Sequence, residues 1–315
     1  MADQRLLEKL QPLMNQESLP PSYVRTVEQT IVPLARHIQK LVGTKKRPVI
    51  VGIHGAQGTG KSTLTLFLKE ILHNVFDCRT ASFSLDDIYL TRAERKHLAE
   101  TVHPLLMTRG VPGTHDIALG QKVINQLVNA GPTDHTPVPV FDKSLDDRSP
   151  RELWPEFEGR PDVVLLEGWC VAATPAENPD ELVAPVNALE REEDPQGIWR
   201  RYVDDCLRGA YRTFFDQLDS LIMLRAPSMD CVLEWRTLQE HKLARRLGDA
   251  LKKGESPGAL RIMTDNEVAR FIMHYERITR RCLEVLPSRA DVVIDVAKDH
   301  SLGLPGFRKA DGGRP

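Results

Sequence analysis

Residues 48–72, PVIVGIHGAQGTGKSTLTLFLKEIL, decide the fold of this chain. They open with a short apolar run rich in β-branched residues, which is typical of a buried strand in a parallel sheet. Residues 55–62 then follow the spacing Gly-x-x-x-x-Gly-Lys-Ser/Thr, and an amphipathic helix begins within this motif. A strand, a glycine-rich loop and a helix in this order predict a loop whose backbone N–H groups wrap a phosphate chain.

Individual residues of this loop have separate predicted roles. Lys61 is expected to reach the β- and γ-phosphates of a bound nucleotide, and the Ser62 hydroxyl is expected to ligate Mg²⁺. The glycines allow a tight backbone turn, and the helix N-terminus adds partial positive charge. The predicted nucleotide-binding residues are Gly55, Ala56, Gln57, Gly58, Thr59, Gly60, Lys61, Ser62 and Thr63.

Strand and helix patterns alternate along the rest of the chain. Further apolar runs typical of strands occupy residues 78–85, 162–168, 220–226 and 291–296. Helical patterns occupy residues 61–73, 92–100, 116–130, about 197–217, about 228–253 and 265–286. This alternation predicts an α/β fold with a parallel sheet flanked by helices. Residues 1–47 are predicted to form an N-terminal helical segment, and residues 301–315 a flexible tail.

The composition argues against several classes of protein. The 315 residues include 42 Lys and Arg against 44 Asp and Glu, a balance unlike that of a protein that coats nucleic acid. No apolar run approaches the roughly 20 residues of a membrane span, and the N-terminus lacks a secretory pattern. The five cysteines are scattered without a paired spacing, which favours reduced thiols. We therefore expect a cytoplasmic protein without nucleic-acid or membrane partners, and the oligomeric state stays open.

Acidic residues follow two of the predicted strands. Glu167 ends the run 162–168 and is predicted to hold Mg²⁺, although a salt-bridged or helix-capping glutamate is the structural alternative. Asp86 and Asp87 follow the run 78–85. Asp86 is predicted to orient an acceptor hydroxyl and take its proton, with Lys61 and Glu167 as the other catalytic residues. Asp87 is expected to contact substrate or metal, and an N-cap of the next helix is the alternative for either aspartate.

Three stretches carry a family resemblance. They are SLDDIYLTRAERKHLAETVHPLLMTRGVPGTHD (84–116), PVPVFDKSLDDR (137–148) and LLEGWCV (165–171). With them, and with residues 184–203, 224–243 and 263–280, the chain resembles the D-glycerate 3-kinase family, within the phosphoribulokinase/uridine kinase group of P-loop kinases, over roughly residues 48–300. The resemblance implies transfer of the γ-phosphoryl group of ATP to a hydroxyl of D-glycerate. It also implies a mostly parallel five-stranded sheet of order 2-3-1-4-5. Asp86 falls where related kinases carry their catalytic aspartate, but Ile88 replaces the aromatic residue usual nearby.

The resemblance also divides the chain. It implies a kinase domain over residues 48–300, with substrate loops 103–116 and 137–148, an inserted loop 170–197 and a lid at about 228–260. Because a carboxylate substrate needs cationic partners, Arg109, Lys143 and Arg148 are the predicted basic contacts. The full set of predicted substrate contacts is Asp87, Tyr89, Arg109, His115, Asp142, Lys143 and Arg148. Solvated loop residues are the structural alternative for these loop positions.

The helix predicted over the lid region carries a basic face. Lys242, Arg245 and Arg246 are spaced to share one helical side, and Arg236 lies nearly two turns earlier. A lid arginine is expected to neutralise charge on the transferred phosphoryl group, whereas a solvated face paired with glutamates is the alternative. Two other functions remain open. They are a kinase for another small alcohol (a nucleoside, pantothenate or a sugar phosphate) and a P-loop ATPase or regulator without a small substrate.

Overall fold

The computed structural model describes residues 4–252 and 262–308. Its strands are β1 Val49–Gly55, β2 Thr80–Ser84, β3 His135–Pro137, β4 Phe141–Asp142, β5 Asp147–Arg148, β6 Glu156–Glu158, β7 Val163–Gly168, β8 Ser220–Arg225, β9 Val292–Asp295 and β10 Gly306–Phe307. The central sheet has the order β10-β9-β8-β1-β7-β2, and its first five strands in chain order are parallel. Their spatial order is the expected 2-3-1-4-5, so the predicted α/β fold with a mostly parallel sheet is confirmed.

Helices flank this sheet on both faces. They are α1 Gln4–Gln16, α2 Tyr23–Thr26, α3 Val32–Thr44, α4 Lys61–Phe76, α5 Arg92–Thr101, α6 Ile117–Asn129, α7 Ala188–Glu193, α8 Ile198–Cys206, α9 Arg212–Phe215, α10 Met229–Lys252 and α11 Asp265–Arg289. A π-helical turn, Val27–Ile31, joins α2 to α3, and another, Leu207–Tyr211, joins α8 to α9. Among the described residues, no helix has the length and apolarity that a membrane crossing requires.

Two apolar cores lie on opposite faces of the sheet. Along β1, Val49, Val51 and Ile53 pack with the N-terminal helices and α4. Ile50, between them, packs into the other core with residues of α6, α8 and α11. Because successive side chains of a strand point to opposite faces, a strand between two cores must be apolar throughout. This explains why the strands read as continuous apolar runs.

The structure differs from the sequence expectation in two irregular regions. The proline-rich stretch 131–161, which includes the predicted substrate loop 137–148, forms two small antiparallel sheets, in which β3 pairs with β6 and β4 pairs with β5. Strands of two or three residues are too short to give a period in the sequence. The inserted segment 170–197 contains α7 and a 3₁₀ turn, Pro179–Leu182.

The predicted flexible tail is also structured over its first part. Strand β10 pairs antiparallel with β9, and the Thr30 hydroxyl donates to the Gly303 carbonyl at 3.0 Å. These contacts with the sheet and the N-terminal segment hold residues 301–308 in place, so the prediction is corrected there. Residues 309–315 of the predicted tail, and residues 253–260 of the predicted lid, lie outside the described residues.

Candidate active site

The glycine-rich loop between β1 and α4 has a backbone that only glycine adopts readily. Gly58 and Gly60 have φ values of +83° and +85°. A Cβ atom at Gly58 would also lie 2.6 Å from Trp235 Cβ, so α10 packs directly against this turn. The Thr59 hydroxyl donates to the Ala56 carbonyl at 2.8 Å and closes the loop on itself. The sequence motif thus encodes a fixed concave backbone of the kind that binds anions.

The first turn of α4 brings the predicted metal ligands together. The Lys61 side chain folds back over the loop, with Nζ 3.3 Å from the Ala56 carbonyl oxygen. The Ser62 hydroxyl donates to Glu167 Oε1 at 3.0 Å across 105 residues of sequence. Glu167 is 8% exposed at the end of β7, where the neighbouring strand β1 leads into the loop.

This pair fits Mg²⁺ in the chemistry of its donors. Mg²⁺ prefers hard oxygen ligands and keeps several waters, with one or two carboxylates and the substrate phosphates completing its shell. A hydroxyl and a buried carboxylate beside a phosphate loop meet that requirement. Within residues 4–252 and 262–308, no group of three or more His, Cys, Asp or Glu side chains forms a metal cluster.

Asp86 and Asp87 lie in a 3₁₀ turn, Leu85–Ile88, directly after β2. Asp87 accepts a hydrogen bond from the Ser84 N–H at 2.9 Å and so caps this turn. Helix α5 is capped by Thr91 instead, so neither aspartate is its N-cap. Burial raises the pKa of the Asp87 carboxyl to about 6 against the hydrogen bond from Ser84, and nearby carboxylates add to the rise.

Asp86 has both carboxylate oxygens engaged. The Tyr89 hydroxyl donates to Oδ1 at 2.7 Å, and Lys143 Nζ lies 2.7 Å from Oδ2. Burial alone would raise the pKa of the Asp86 carboxyl, but the charge and hydrogen bond of Lys143 outweigh it and lower that pKa to about 2. Asp86 is therefore an ionised acceptor beside the phosphate loop across the physiological pH range.

These residues line one cleft of about 470 Å³. The predicted residues in its lining are Gln57, Gly58, Lys61, Ser62, Asp86, Asp87, Tyr89, Arg109, Lys143 and Glu167. We call the part formed by Asp86, Tyr89, Arg109 and Lys143 the acceptor side. Further lining residues that the sequence did not mark as substrate or nucleotide contacts are Ser84, Trp169, Gln239, Phe271 and Tyr275. Phe271 and Tyr275 are four residues apart on α11, so helical spacing was the available signal.

Arg109 is held in the cleft wall by several partners. Its Nη1 pairs with Asp146, and its guanidinium lies 5.5 Å from the centre of the Phe141 ring. The Tyr275 hydroxyl donates to the Arg109 carbonyl at 2.9 Å. Asp146 is also bound by the buried Arg95, at 2.9 Å. Because one carboxylate uses only part of a five-donor guanidinium, Arg109 keeps N–H groups for a ligand.

Two of the predicted substrate contacts lie behind the cleft wall. His115 is 5% exposed and stacks on the Tyr89 ring with centroids 4.8 Å apart. Its Nδ1 lies 2.6 Å from the Tyr211 hydroxyl, and burial lowers the pKa of its imidazole to about 4. Arg148 donates from Nη2 to the Tyr89 carbonyl at 2.9 Å and to Asp116 at 3.1 Å. Both residues therefore support Tyr89 and its neighbourhood, and neither is in the cleft lining.

Asp142 likewise has a structural role in place of the predicted substrate contact. Its Oδ1 accepts hydrogen bonds from the Ser144 N–H at 2.8 Å and from the Ser144 hydroxyl at 2.5 Å. These bonds shape the turn that joins β4 to β5. The same turn carries Lys143 to Asp86, so Asp142 fixes the loop that places Lys143 in the cleft.

Helix α10 contributes one arginine to the cleft lining among its described side chains. Arg236 pairs with the buried Glu240 and lies 5.6 Å from the centre of the Phe271 ring. Lys242 and Arg245 are exposed away from the cleft lining, and the Arg246 side chain lies outside the described residues. An ion pair with a glutamate, the alternative considered for this face, is thus present, but Arg236 also lies in the cleft lining.

Comparisons with known proteins indicate the class of protein. No protein-family model matches the chain. The uncharacterised kinase mug58 of Schizosaccharomyces pombe is 33% identical over 262 residues, which cover 79% of this chain and 86% of that protein. The solved structure of D-glycerate 3-kinase from Cryptococcus neoformans has a TM-score of 0.69 at 25% identity, covering 88% of this chain and 98% of that one. The fold, the phosphate loop and these relatives define the chain as a P-loop kinase.

A plant kinase is also similar to the chain. The chloroplastic D-glycerate 3-kinase of Arabidopsis thaliana is 29% identical over 235 residues, which cover 72% of this chain and 46% of the plant protein. The chain belongs to the D-glycerate 3-kinase family, as the residues around Asp86, Arg109 and Glu167 predicted.

Proposed function

We propose that this kinase transfers the γ-phosphoryl group of ATP to the 3-hydroxyl of D-glycerate. The observation that carries the proposal is the acceptor side of the cleft. It sets two cations, Arg109 and Lys143, beside the ionised carboxylate of Asp86 and next to the phosphate loop. A small hydroxy acid needs both features, because its carboxylate requires cationic partners and its hydroxyl requires an acceptor. D-glycerate 3-kinase relatives support the choice of acid.

On the nucleotide side, the loop 55–63 would hold the phosphates through its backbone N–H groups, with Lys61 on the β- and γ-phosphates. Ser62 and Glu167 would hold Mg²⁺. When bound, this ion neutralises charge on the phosphates during transfer. Arg236 also lines the cleft and would add positive charge near the transferred group.

On the acceptor side, Arg109 would bind the substrate carboxylate and Asp86 would accept the hydroxyl proton. As the hydroxyl oxygen attacks the γ-phosphorus, a new O–P bond forms and the bond to the β,γ-bridging oxygen breaks. ADP leaves with the electron pair of the broken bond, and the proton moves to Asp86. Tyr89 donates to Oδ1 and orients Asp86, so the acceptor hydroxyl would use Oδ2, the oxygen that pairs with Lys143 in the structure.

Phosphorus NMR of the purified protein with MgATP and D-glycerate tests this proposal, because it identifies the product and the position of its phosphate. We expect the signal of 3-phosphoglycerate to appear with the wild type and to be lost in Lys61→Ala. The matched control is Asp216→Asn, at a side chain that is 73% exposed, which should retain full turnover. Demonstrable ATP binding without phosphorylation of D-glycerate would refute the assignment, and a panel of other small alcohols would then identify the acceptor.

A further inference from the structure

Lys143 forms an ion pair with Asp86, the carboxylate that we propose accepts the hydroxyl proton. It lies in the turn between β4 and β5, and its Nζ is 2.7 Å from Asp86 Oδ2. Its side chain is 59% exposed, whereas that of Asp86 is 29% exposed. A lysine on a flexible four-carbon stem can leave such a partner without any change in the backbone. The pair is therefore one that a ligand can rearrange.

The other cations of the cleft are held differently. Arg109 is fixed by Asp146 and the Phe141 ring, and Arg236 by the buried Glu240. Lys61 folds over the phosphate loop. Within the described part of the cleft, Lys143 is the cation whose ion pair involves the proposed base. Any ligand that attracts Lys143 therefore changes the state of Asp86.

The two carboxylate oxygens of Asp86 both have partners in the structure. Oδ1 receives the Tyr89 hydroxyl and Oδ2 receives Lys143. An acceptor hydroxyl must find a lone pair that points toward the phosphates, and the ammonium group competes for Oδ2. Removing that positive charge makes the carboxylate a stronger acceptor of the hydroxyl proton.

We propose that Lys143 masks Asp86 until a substrate carboxylate draws the ammonium group away and frees Oδ2 for the acceptor hydroxyl. An anionic acceptor thereby activates its own base, whereas a neutral alcohol or water meets a masked one. Lys143 thus selects for anionic acceptors in the chemical step as well as in binding. The identity of the anion rests on the proposed function, but the masking of Asp86 can be tested with water as the acceptor.

The hydrolytic reaction balances without a further reactant. The oxygen of water attacks the γ-phosphorus, the bond to the β,γ-bridging oxygen breaks, and ADP and inorganic phosphate result. The proton released from water passes to Asp86. The rate of this reaction therefore reports how available Asp86 is, whichever small molecule the enzyme phosphorylates in its main reaction.

The experiment measures basal MgATP hydrolysis and the kcat/KM values for D-glycerate and for neutral glycerol. In Lys143→Met we expect basal hydrolysis and glycerol phosphorylation to rise about tenfold, while kcat/KM for D-glycerate falls about 100-fold. Adding Asp86→Asn to this variant should abolish the gain. Lys143→Arg, which can remake the ion pair, should lie below Lys143→Met in hydrolysis. Lys122→Met, at an exposed lysine of α6, should behave as the wild type.

The outcomes separate the two proposals. If D-glycerate turnover falls while hydrolysis and glycerol turnover stay unchanged in Lys143→Met, then Lys143 is a binding contact and the masking proposal is wrong. If the wild type fails to phosphorylate D-glycerate, but Lys143→Met hydrolyses ATP faster and Asp86→Asn reverses the gain, the proposed substrate is wrong and the masking stands. ATP affinity and Tm of each variant establish that folding is intact.

Discussion

The phosphate loop is shaped by its own backbone, whereas the acceptor side of the cleft is assembled from side chains of distant segments. Loop residues 55–62 are contiguous, and their conformation rests on the positive φ values of Gly58 and Gly60. On the acceptor side, Asp86 and Lys143 are 57 residues apart in sequence, and Arg109 and Tyr275 are 166 apart. The phosphate loop therefore depends on local steric rules, whereas the acceptor side depends on contacts between segments that the whole fold must position.

We expect the largest effect from a substitution in the phosphate loop, whose shape is set by its backbone. Gly58→Ala places a Cβ 2.6 Å from Trp235 Cβ at a φ of +83°. The strain would distort the loop, so we expect kcat/KM for ATP to fall about 100-fold, with ATP affinity reduced. Steady-state kinetics and calorimetry measure this. Gly43→Ala is the control, since a Cβ there meets nothing within 4 Å, and an equal loss in that variant would contradict the account.

The turn that carries Asp86 should show an electrostatic cost at its neighbour Asp87. The pKa of Asp87 is about 6 in the folded chain and 3.8 ordinarily, so its charged form is disfavoured on folding. The folded state therefore binds the proton more tightly, and stability is lost as pH rises from about 4 to 6. Relative to Asp87→Asn, the wild-type free energy of unfolding should decrease by about 2 kcal/mol from pH 4 to pH 7.

Urea unfolding of the metal-free protein at several pH values measures that decrease. The difference between wild type and Asp87→Asn is the quantity to follow, because it cancels the titration of the other groups. A difference that does not change between pH 4 and pH 7 would show that burial of Asp87 carries no such cost.

A smaller effect is expected at Asp146, which pairs with Arg109. Asp146 has a φ of +55°, a conformation that asparagine also tolerates, so Asp146→Asn should keep the turn and remove the charge. We expect KM for D-glycerate to rise about tenfold with little change in KM for ATP, because Arg109 would lose its orientation. Asp147→Asn, at the next residue, is the control. An increase of the same size in KM for ATP would show that the acceptor side and the phosphate loop do not act independently at this position.

The smallest effect should appear behind the cleft wall. The Tyr211 hydroxyl accepts from the Gly113 N–H at 2.9 Å and lies 2.6 Å from His115 Nδ1. Tyr211→Phe removes both bonds and loosens the His115 ring that supports Tyr89. We expect kcat for D-glycerate to fall about threefold with ATP affinity unchanged, and Tyr202→Phe, whose hydroxyl lies outside these bonds, to be neutral. If kcat is unchanged in Tyr211→Phe, then His115 does not contribute to the positioning of Tyr89.

The same contrast explains what could be predicted from the sequence. The phosphate loop, the strand ends at Asp86 and Glu167 and the sheet order follow from local spacing and from the family resemblance. Residues 301–308 could not be recognised as structured, because a two-residue edge strand has no period. Neither could the small sheets of residues 131–161.

Contacts between side chains were harder to predict for a different reason. His115 and Arg148 have the residue types expected of substrate contacts. In the fold, however, both contact Tyr89 and neither lies in the cleft lining. Asp146, which holds Arg109, stands in a run of three acidic or basic residues and has no distinguishing spacing. Sequence gives the type of such a residue, whereas its partner depends on how distant segments meet.

We propose that Asp86 serves the acceptor side of the cleft and not the phosphate loop, and the variant Asp86→Asn tests this role. Asp86→Asn keeps the size of the side chain and an oxygen for the Tyr89 hydroxyl, but it cannot take a proton. Calorimetric titration with MgATP and phosphorus NMR with D-glycerate should be made on the same preparation. We predict unchanged ATP affinity with kcat lowered about 1,000-fold. Turnover close to that of the wild type, or a matching loss of ATP affinity, would contradict the account.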